Sequence, residues 1–239
     1  MRAKFGIAIA TGALAVAAAG TAFAQAAVDT EMQPSYMRAP VRAPANALEI
    51  GVNTGYTQGF GDIAQGQNIG NTADAGLGAG LTLAYRASPY FSIGANAQYQ
   101  AFNADQTLAD DTSIMGMTVG PQATFHFAPY QRVDPHISLG TGYRMLWQSP
   151  EGPNNNVLIH GFQLAKLNAG LDIRVNDSVA LGPMIGADVN MFVWRNPEGA
   201  RGNQRIDDLG VNTFVYAGLQ GRFDVGGQRV TRVTAVGSR

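Results

Sequence analysis

The strongest constraint on the fold is an alternation of apolar with small or polar residues that recurs eight times between residues 48 and 223. In one such segment, Leu81 and Leu83 alternate with Gly80 and Thr82. Successive side chains of a β-strand point to opposite faces, so a period of two predicts strands with one apolar and one polar face. The predicted strands are 48–56, 76–85, 91–100, 113–127, 136–147, 161–175, 179–193 and 211–223.

The breaks between these segments alternate strictly in length. Long breaks lie at 61–74, 103–112, 148–160 and 195–210, and short breaks lie at 87–89, 128–133 and 176–178. Bacterial outer-membrane barrels have an even number of antiparallel strands, long extracellular loops and short periplasmic turns. The sequence therefore predicts an all-β fold, an eight-stranded antiparallel up-and-down transmembrane β-barrel with its long loops outside the cell.

The N-terminus has the features of a cleaved signal peptide. Arg2 and Lys4 precede an apolar run over 5–19, and the sequence 22–24 is a small-residue cleavage site. The apolar stretch also approaches the roughly 20 residues that cross a bilayer as a helix, but the order of the features favours export and cleavage. The predicted organisation is a signal peptide 1–24, a periplasmic linker 25–46, a barrel 47–223 and a tail 224–239.

Composition excludes several classes of function. The net charge is -1, and loss of the basic signal peptide makes the mature chain more acidic, so no nucleic-acid partner is expected. The chain contains no cysteine, which excludes disulfide bonds and thiolate metal sites.

Aromatic residues cluster where the apolar band of a membrane barrel would end, as the two aromatic girdles of such barrels do. The alternative is a soluble eight-stranded barrel or sandwich with an aromatic core. The membrane barrel is favoured because the face opposite the apolar one is rich in Gly, Ser, Thr, Asn and Gln. The candidates are Tyr85, Tyr90, Phe91, Phe125, Phe127, Tyr130 and Phe223 beside the short turns, and Tyr56, Phe60, Tyr99, Phe102, Tyr143, Trp147 and Trp194 beside the long loops.

The polar face of the predicted barrel carries charges that would lie in its lumen, which at eight strands is just wide enough for side chains to fill. Lys166 and Asp188 are equally far from Asp177, so a tight turn there places them opposite each other. Glu49 and Arg222 meet when the barrel closes. A packed network of paired charges is favoured over a gated ion path, because buried charges are paired whatever their use. The predicted lumen charge network is Glu49, Arg86, Arg144, Lys166, Asp172, Arg174, Asp188 and Arg222.

Together these features resemble the small eight-stranded outer-membrane barrels of Gram-negative bacteria, the class that includes the OmpA membrane domain, OmpX and the opacity-type adhesins. The resemblance covers residues 48–223, and Gly218 followed by Phe223 is similar to the C-terminal signal of the barrel-insertion machinery. It implies a monomer in the bacterial outer membrane, in contact with lipid and lipopolysaccharide and inserted by that machinery. Pro121 and Pro183 depart from the pattern, and because each follows a glycine, we expect a β-bulge at each.

Two arrangements of histidine are candidates for chemistry. His136 and Ser138 have a spacing that resembles the lipid A deacylase pair, with Glu151 as a third member, but they are predicted to face inward beside a short turn. His126 and His136 face each other across the 128–133 turn, yet a third metal ligand is missing from the pattern. We therefore expect no enzymatic activity, no cofactor and no metal.

The predicted function is that of a non-enzymatic outer-membrane barrel with surface-exposed loops and a structural or adhesive role in the envelope. The alternative is a narrow channel or porin for ions or small solutes. Acidic residues in the long loops would bridge divalent cations to lipopolysaccharide or simply form a solvated surface, and the latter is favoured. These residues are Asp105, Asp110, Asp111, Asp207 and Asp208.

Overall fold

The computed structural model describes residues 42–104, 112–149, 156–200 and 202–228. Eight long antiparallel strands form the wall of a closed barrel, and the two-residue strands Gln67–Asn68 and Gln204–Arg205 extend it at one end. The long strands are β1 (Ala47–Ala64), β2 (Ala73–Ser88), β3 (Phe91–Ala104), β4 (Ser113–His126), β5 (Val133–Ser149), β6 (Val157–Arg174), β7 (Val179–Pro197) and β8 (Asn212–Val225).

Each strand pairs with the next along the chain, and β8 returns to β1 to close the barrel. The closing register runs from Leu48 opposite Val225 to Gly61 opposite Asn212. The predicted fold class is therefore confirmed. We call the end with the short connections and both termini of the barrel the turn end, and the opposite end the loop end.

Several strands run further into the long breaks than the sequence pattern predicts. β1 continues to Ala64, β6 begins at Val157 and β7 continues to Pro197. The apolar alternation ends where the outer surface of the barrel is no longer apolar. The strands continue beyond that point, because backbone hydrogen bonds between strands need no particular side chains. Side-chain pattern alone therefore underestimates strand length at the loop end.

The outer surface of the barrel is apolar. Leu77, Ile185 and Leu219 each have more than 60% of their surface exposed, and they belong to a continuous belt that spans all eight strands. So large an exposed apolar surface is stable in lipid rather than in water. No helix among the described residues is long and apolar enough to cross a membrane.

Most predicted girdle residues are exposed at the expected ends, including Tyr85, Phe125 and Phe127 at the turn end and Tyr56 at the loop end. Phe102 is an exception, because its side chain points into the lumen and is buried. It was assigned to a girdle from its position beside a long loop, but the parity of β3 places it on the inner face with Gln98 and Gln100.

The expectation of bulges at Pro121 and Pro183 is wrong, since the strand register passes through both without a shift. A register shift lies instead between Gln163 and Ala165 in β6, where Leu164 is an extra outward residue. Gln163 and Lys166 are three positions apart, so regular alternation would place them on opposite faces. The bulge allows both of them to point into the lumen.

Residues 42–46, which we call the strap, lie against the turn end of the barrel. The Ala43 amide donates to the Pro129 carbonyl at 2.9 Å, and Ala45 pairs with Gln228 through two backbone hydrogen bonds. The side chain of Ala43 is fully buried. The strap belongs to the predicted linker and Gln228 to the predicted tail, so both segments contribute contacts to the barrel.

Candidate functional site in the barrel lumen

All eight residues of the predicted lumen charge network lie on the inner face, and none has more than 7% of its surface exposed. They form two groups at different depths. The turn-end cluster contains Glu49, Arg86, His126, Asp134, His136, Asp172, Arg174, Arg222 and Asp224. The middle layer contains Asn96, Gln98, Arg144, Gln163, Lys166 and Asp188.

Glu49 in β1 joins the two edges of the closing seam. Its carboxylate lies 2.8 Å from Arg86 in β2 and 2.8 Å from Arg222 in β8, and it also accepts a hydrogen bond from Ser92 at 3.3 Å. Glu49 and Arg222 therefore meet across the seam, as their positions at the two ends of the barrel sequence predict. Two guanidinium groups on one carboxylate compensate part of the large cost of burying these charges.

Asp224 extends the cluster beyond the predicted set. Its carboxylate lies 2.9 Å from Arg174 and 3.4 Å from Arg86, while Asp172 lies 3.0 Å from Arg222. The sequence pattern missed Asp224 because the last strand was predicted to end at Phe223, whereas β8 continues to Val225. The sequence did contain a signal for this residue, because Asp224 is acidic, follows the terminal aromatic Phe223 and lies on the inward face of the same alternation.

The hydrogen bonds of His126 define its protonation state. Its Nε2 atom lies 3.1 Å from Arg86 and 2.9 Å from Arg222, and its Nδ1 atom lies 2.9 Å from Asp134. Arginine only donates hydrogen bonds, so Nε2 must accept and carries no proton. The proton of the neutral ring is then on Nδ1, where it is donated to Asp134.

A metal site would need the same Nδ1 atom. His126, Asp134 and Asp172 offer ligand atoms within 4.8 Å of one another, so the third ligand that the sequence did not reveal is present in space. A metal ion bound to Nδ1 would displace the proton there, and Nε2 cannot carry a proton because it accepts hydrogen bonds from the two arginines. The ring would then carry no proton at all, whereas a metal-bound histidine normally keeps one. The geometry therefore fits a proton on His126 better than a metal ion.

His136 and Ser138 have the spacing of a catalytic pair in the sequence, but they do not form such a pair in the structure. The Ser138 hydroxyl is hydrogen-bonded to Thr124 at 2.8 Å, and His136 Nε2 lies 3.1 Å from Gln220. Both side chains are buried on the inner face, as predicted, so neither reaches the lipid. Glu151 lies outside the described residues.

Lys166 and Asp188 are directly opposite in the register of β6 and β7, as predicted. They do not form an ion pair. The Lys166 ammonium donates to Asn96 at 2.8 Å and to Gln98 at 3.3 Å, on the far side of the lumen. Register fixes which backbones are adjacent, but the long lysine side chain crosses the lumen to amide oxygens.

Asp188 is bound by other groups in the middle layer. Arg144 lies 3.4 Å from both carboxylate oxygens, Gln163 donates at 3.0 Å and Asn190 donates at 2.6 Å. The Arg144 guanidinium also stacks on Phe214, with 3.5 Å between its central carbon and the ring centre. Arg144 therefore links the polar middle of the lumen to the apolar residues above it.

Between the turn-end cluster and the middle layer lies a cavity of about 30 Å³, bordered by Asn96, Lys166, Asn168 and Gln220. A buried water needs roughly 10–15 Å³ of such volume. The cavity therefore has room for on the order of two water molecules and is too small for a solute.

The loop end of the lumen is filled by apolar side chains, which we call the loop-end plug. The rings of Phe102 and Phe214 pack with centres 5.4 Å apart, and Ile69 reaches in from the connection between β1 and β2. The buried members of the plug are Ile63, Ile69, Ala73, Phe102, Ile114, Leu146, Ile159, Phe192 and Phe214.

A closed eight-stranded barrel with an apolar outer belt and a filled interior is typical of the small membrane-spanning β-barrels of the bacterial outer membrane. The chain has the fold of this class, which confirms the predicted fold. No family model matches the chain, and no curated protein matches it significantly.

The chain is similar to several solved outer-membrane proteins. Neisserial surface protein A has 11% identity over 74% of this chain and 96% of that protein, with a TM-score of 0.49. OprG from Pseudomonas aeruginosa has 12% identity over 75% of this chain and 98% of that protein, with a TM-score of 0.47. Ail, the attachment invasion locus protein of Yersinia pestis, has 16% identity over 74% of this chain and 99% of that protein, with a TM-score of 0.41.

Proposed function

We propose that this protein is a non-conducting, non-enzymatic outer-membrane barrel that acts through its loop end, in a structural or adhesive role at the cell surface. The observation that carries the proposal is the filled lumen. Apolar residues occupy the loop end, paired charges occupy the turn end, and the cavity between them is about 30 Å³.

The alternative of a narrow channel is disfavoured by the loop-end plug. Phe192, Phe214 and Leu146 are fully buried in it. An ion that entered this layer would lose its hydration shell and meet no polar replacement among these side chains, which is very costly. A structural or adhesive role needs no such passage.

Conductance across a planar lipid bilayer tests the closed lumen. We expect the refolded protein to produce no discrete conductance steps under conditions in which a general porin, added as a positive control, does so. Steps that change in size when Phe192 is replaced by alanine would contradict the proposal, because they would place the conducting path through the loop-end plug.

The orientation is part of the same proposal, with the loop end outside and the turn end in the periplasm. Trypsin added to intact cells should cut after the exposed Arg195 or Arg205, which lie at the loop end. It should spare Arg132, which is exposed at the turn end. Cleavage at Arg132 in intact cells would reverse the orientation.

A surface role predicts that exposed loop-end side chains matter for attachment. Gln65, Gln67, Arg205 and Asp207 are exposed there. Changing these four to serine should reduce adhesion of expressing bacteria to one another or to immobilised matrix proteins without altering barrel folding. The matched control changes Gln131 and Arg132, which are exposed at the turn end.

Equal adhesion by all three strains would contradict an adhesive role for the loop end. The structural role would then be tested by deleting the gene and measuring leakage of periplasmic protein. The proposal also includes a monomeric state and the partners expected at this location. These partners are outer-membrane lipid with lipopolysaccharide and the barrel-insertion machinery.

A further inference from the structure

We propose that His126 is an acid-sensitive latch that holds the turn end of the barrel closed. The latch requires the unprotonated Nε2 atom of His126, to which Arg86 and Arg222 both point. Acid would add a proton to this atom and release the strap from the turn end. This inference goes beyond the proposed surface role and does not depend on it.

Protonation of Nε2 removes an acceptor and adds a charge at the same point. Arg86 and Arg222 lie 3.1 Å and 2.9 Å from this atom, so a third cation would face two guanidinium groups at hydrogen-bond distance. A like charge at such a distance strongly disfavours the charged form. Either the ring stays neutral or the two arginines move away.

The carboxylates around His126 offset only part of this repulsion, because the two arginines lie closer to Nε2 than the nearest carboxylate, that of Glu49 at 3.8 Å. Asp134 accepts the Nδ1 proton in the neutral ring, and Glu49 and Asp172, each 3.8 Å from the ring, are paired with Arg222. A second proton on the ring gains no new carboxylate partner in this arrangement. The charged and titratable groups around His126 are Glu49 of β1, Arg86 of β2, Asp134 and His136 of β5, Asp172 and Arg174 of β6, and Arg222 and Asp224 of β8.

A chain of hydrogen bonds connects His126 to the strap. Asp134 binds His126 with one carboxylate oxygen and accepts the Ala128 amide with the other at 2.8 Å. The next residue, Pro129, accepts the amide of Ala43 in the strap at 2.9 Å. Movement of the His126 and Asp134 pair therefore loosens the turn to which the strap is attached.

The direction of the pH effect follows from this geometry. The closed state binds His126 only in its neutral form, whereas an open state accepts both forms, so lowering the pH shifts the population towards the open state. At about pH 5, free histidine is protonated and free aspartate is not. The His126→Gln variant separates the effect of His126 from protonation of the neighbouring carboxylates.

A single cysteine in the strap can report its release, because the chain contains no cysteine of its own. We would replace the fully buried Ala43 with cysteine and measure the rate of its reaction with a dithiopyridine reagent, in the full mature chain reconstituted in lipid. Divided by the rate of a free thiol in the same buffer, which corrects for the loss of thiolate at low pH, the rate should rise by about tenfold or more between about pH 7.5 and about pH 5. Adding His126→Gln, which cannot be protonated, should abolish the rise.

His136→Gln is the matched control. His136 lies in the same cluster, with its ring centre 5.7 Å from that of His126, but no arginine of the described residues is hydrogen-bonded to its ring nitrogens. This variant should keep the rise in rate. A rate that is independent of pH in the parent protein, or a rise that persists in the His126→Gln variant, would overturn the proposal.

A second measurement needs no change at His126. Nitrogen NMR of the histidine rings in the unmodified protein should show Nε2 of His126 without a proton and Nδ1 with one at neutral pH. A proton on Nε2 at neutral pH would overturn the proposal, even if the His126→Gln variant failed to fold.

Discussion

The two ends of the lumen are closed in opposite ways by the same eight strands. At the turn end, four carboxylates and three guanidinium groups of the described residues form a hydrogen-bonded cluster. At the loop end, apolar side chains, including Ile69 from a connection, form the plug. The difference shows that the width of an eight-stranded barrel requires its interior to be filled, while the chemistry of the filling is free.

The two closures also depend on the strands to different degrees. The turn-end cluster needs the correct register, because Glu49 must reach both Arg86 and Arg222 within hydrogen-bond distance. The plug needs only volume and apolar character, since dispersion and burial are not directional. We therefore expect the polar part of the lumen to be intolerant of substitution and the plug to tolerate changes of similar size.

The largest expected effect is the loss of a buried countercharge. Asp188→Ala should lower the free energy of unfolding by about 3–5 kcal/mol, because Arg144 is left buried without compensation. Denaturant titration in lipid would measure it. In a double-mutant cycle, Arg144→Met should recover part of the loss and Lys166→Met should not, since Lys166 has its own amide partners. If Asp188 coupled energetically to Lys166 and not to Arg144, the charged groups of the middle layer would be paired differently.

The next effect probes the loop-end plug, where Leu146 is fully buried. Leu146→Ala should cost about 2–4 kcal/mol because it leaves a cavity. Leu146→Met, which nearly conserves volume, should cost less than about 1.5 kcal/mol. Unfolding free energies from the same titration would decide this. If the methionine variant were as unstable as the alanine variant, the plug would be as specific as the polar layers, and the contrast between the two ends would disappear.

A smaller effect is expected from overfilling the lumen. A Cβ atom at Gly186 would collide with the Tyr216 ring and with the Asn168 oxygen to which the Tyr216 hydroxyl donates. Gly186→Ala should therefore cost about 1–3 kcal/mol. The matched change at the edge of the plug is Gly116→Ala, where the nearest atom is the edge of Phe102 at 3.1 Å. The shift in unfolding midpoint should be larger for Gly186, and the reverse order would mean that the plug is the tighter region.

The smallest effect is expected on the outside of the loop end. Asp207 is exposed, so Asp207→Asn should leave the unfolding midpoint unchanged within error. A clear loss of stability would show that the acidic loop residues belong to the fold, rather than forming a solvated surface.

The sequence by itself determined the number of strands, their order and the face on which most side chains lie. This is because the period of two is a local property: Leu81 and Thr82 take opposite sides of β2 in any closed barrel. For the same reason, all eight predicted charges, from Glu49 to Arg222, could be placed in the lumen before their partners were known.

Only the tertiary structure decided which of these groups meet. Lys166 is opposite Asp188 in the register, but its amine crosses the lumen to Asn96, and Asp188 binds Arg144 of β5 instead. The position of His126 of β4 between Arg86 of β2 and Arg222 of β8 likewise involves strands far apart in the chain. Pattern fixes the direction of a side chain because each residue is constrained by its neighbours, whereas partners across a lumen are chosen by side-chain length and by competition among all the groups that share it.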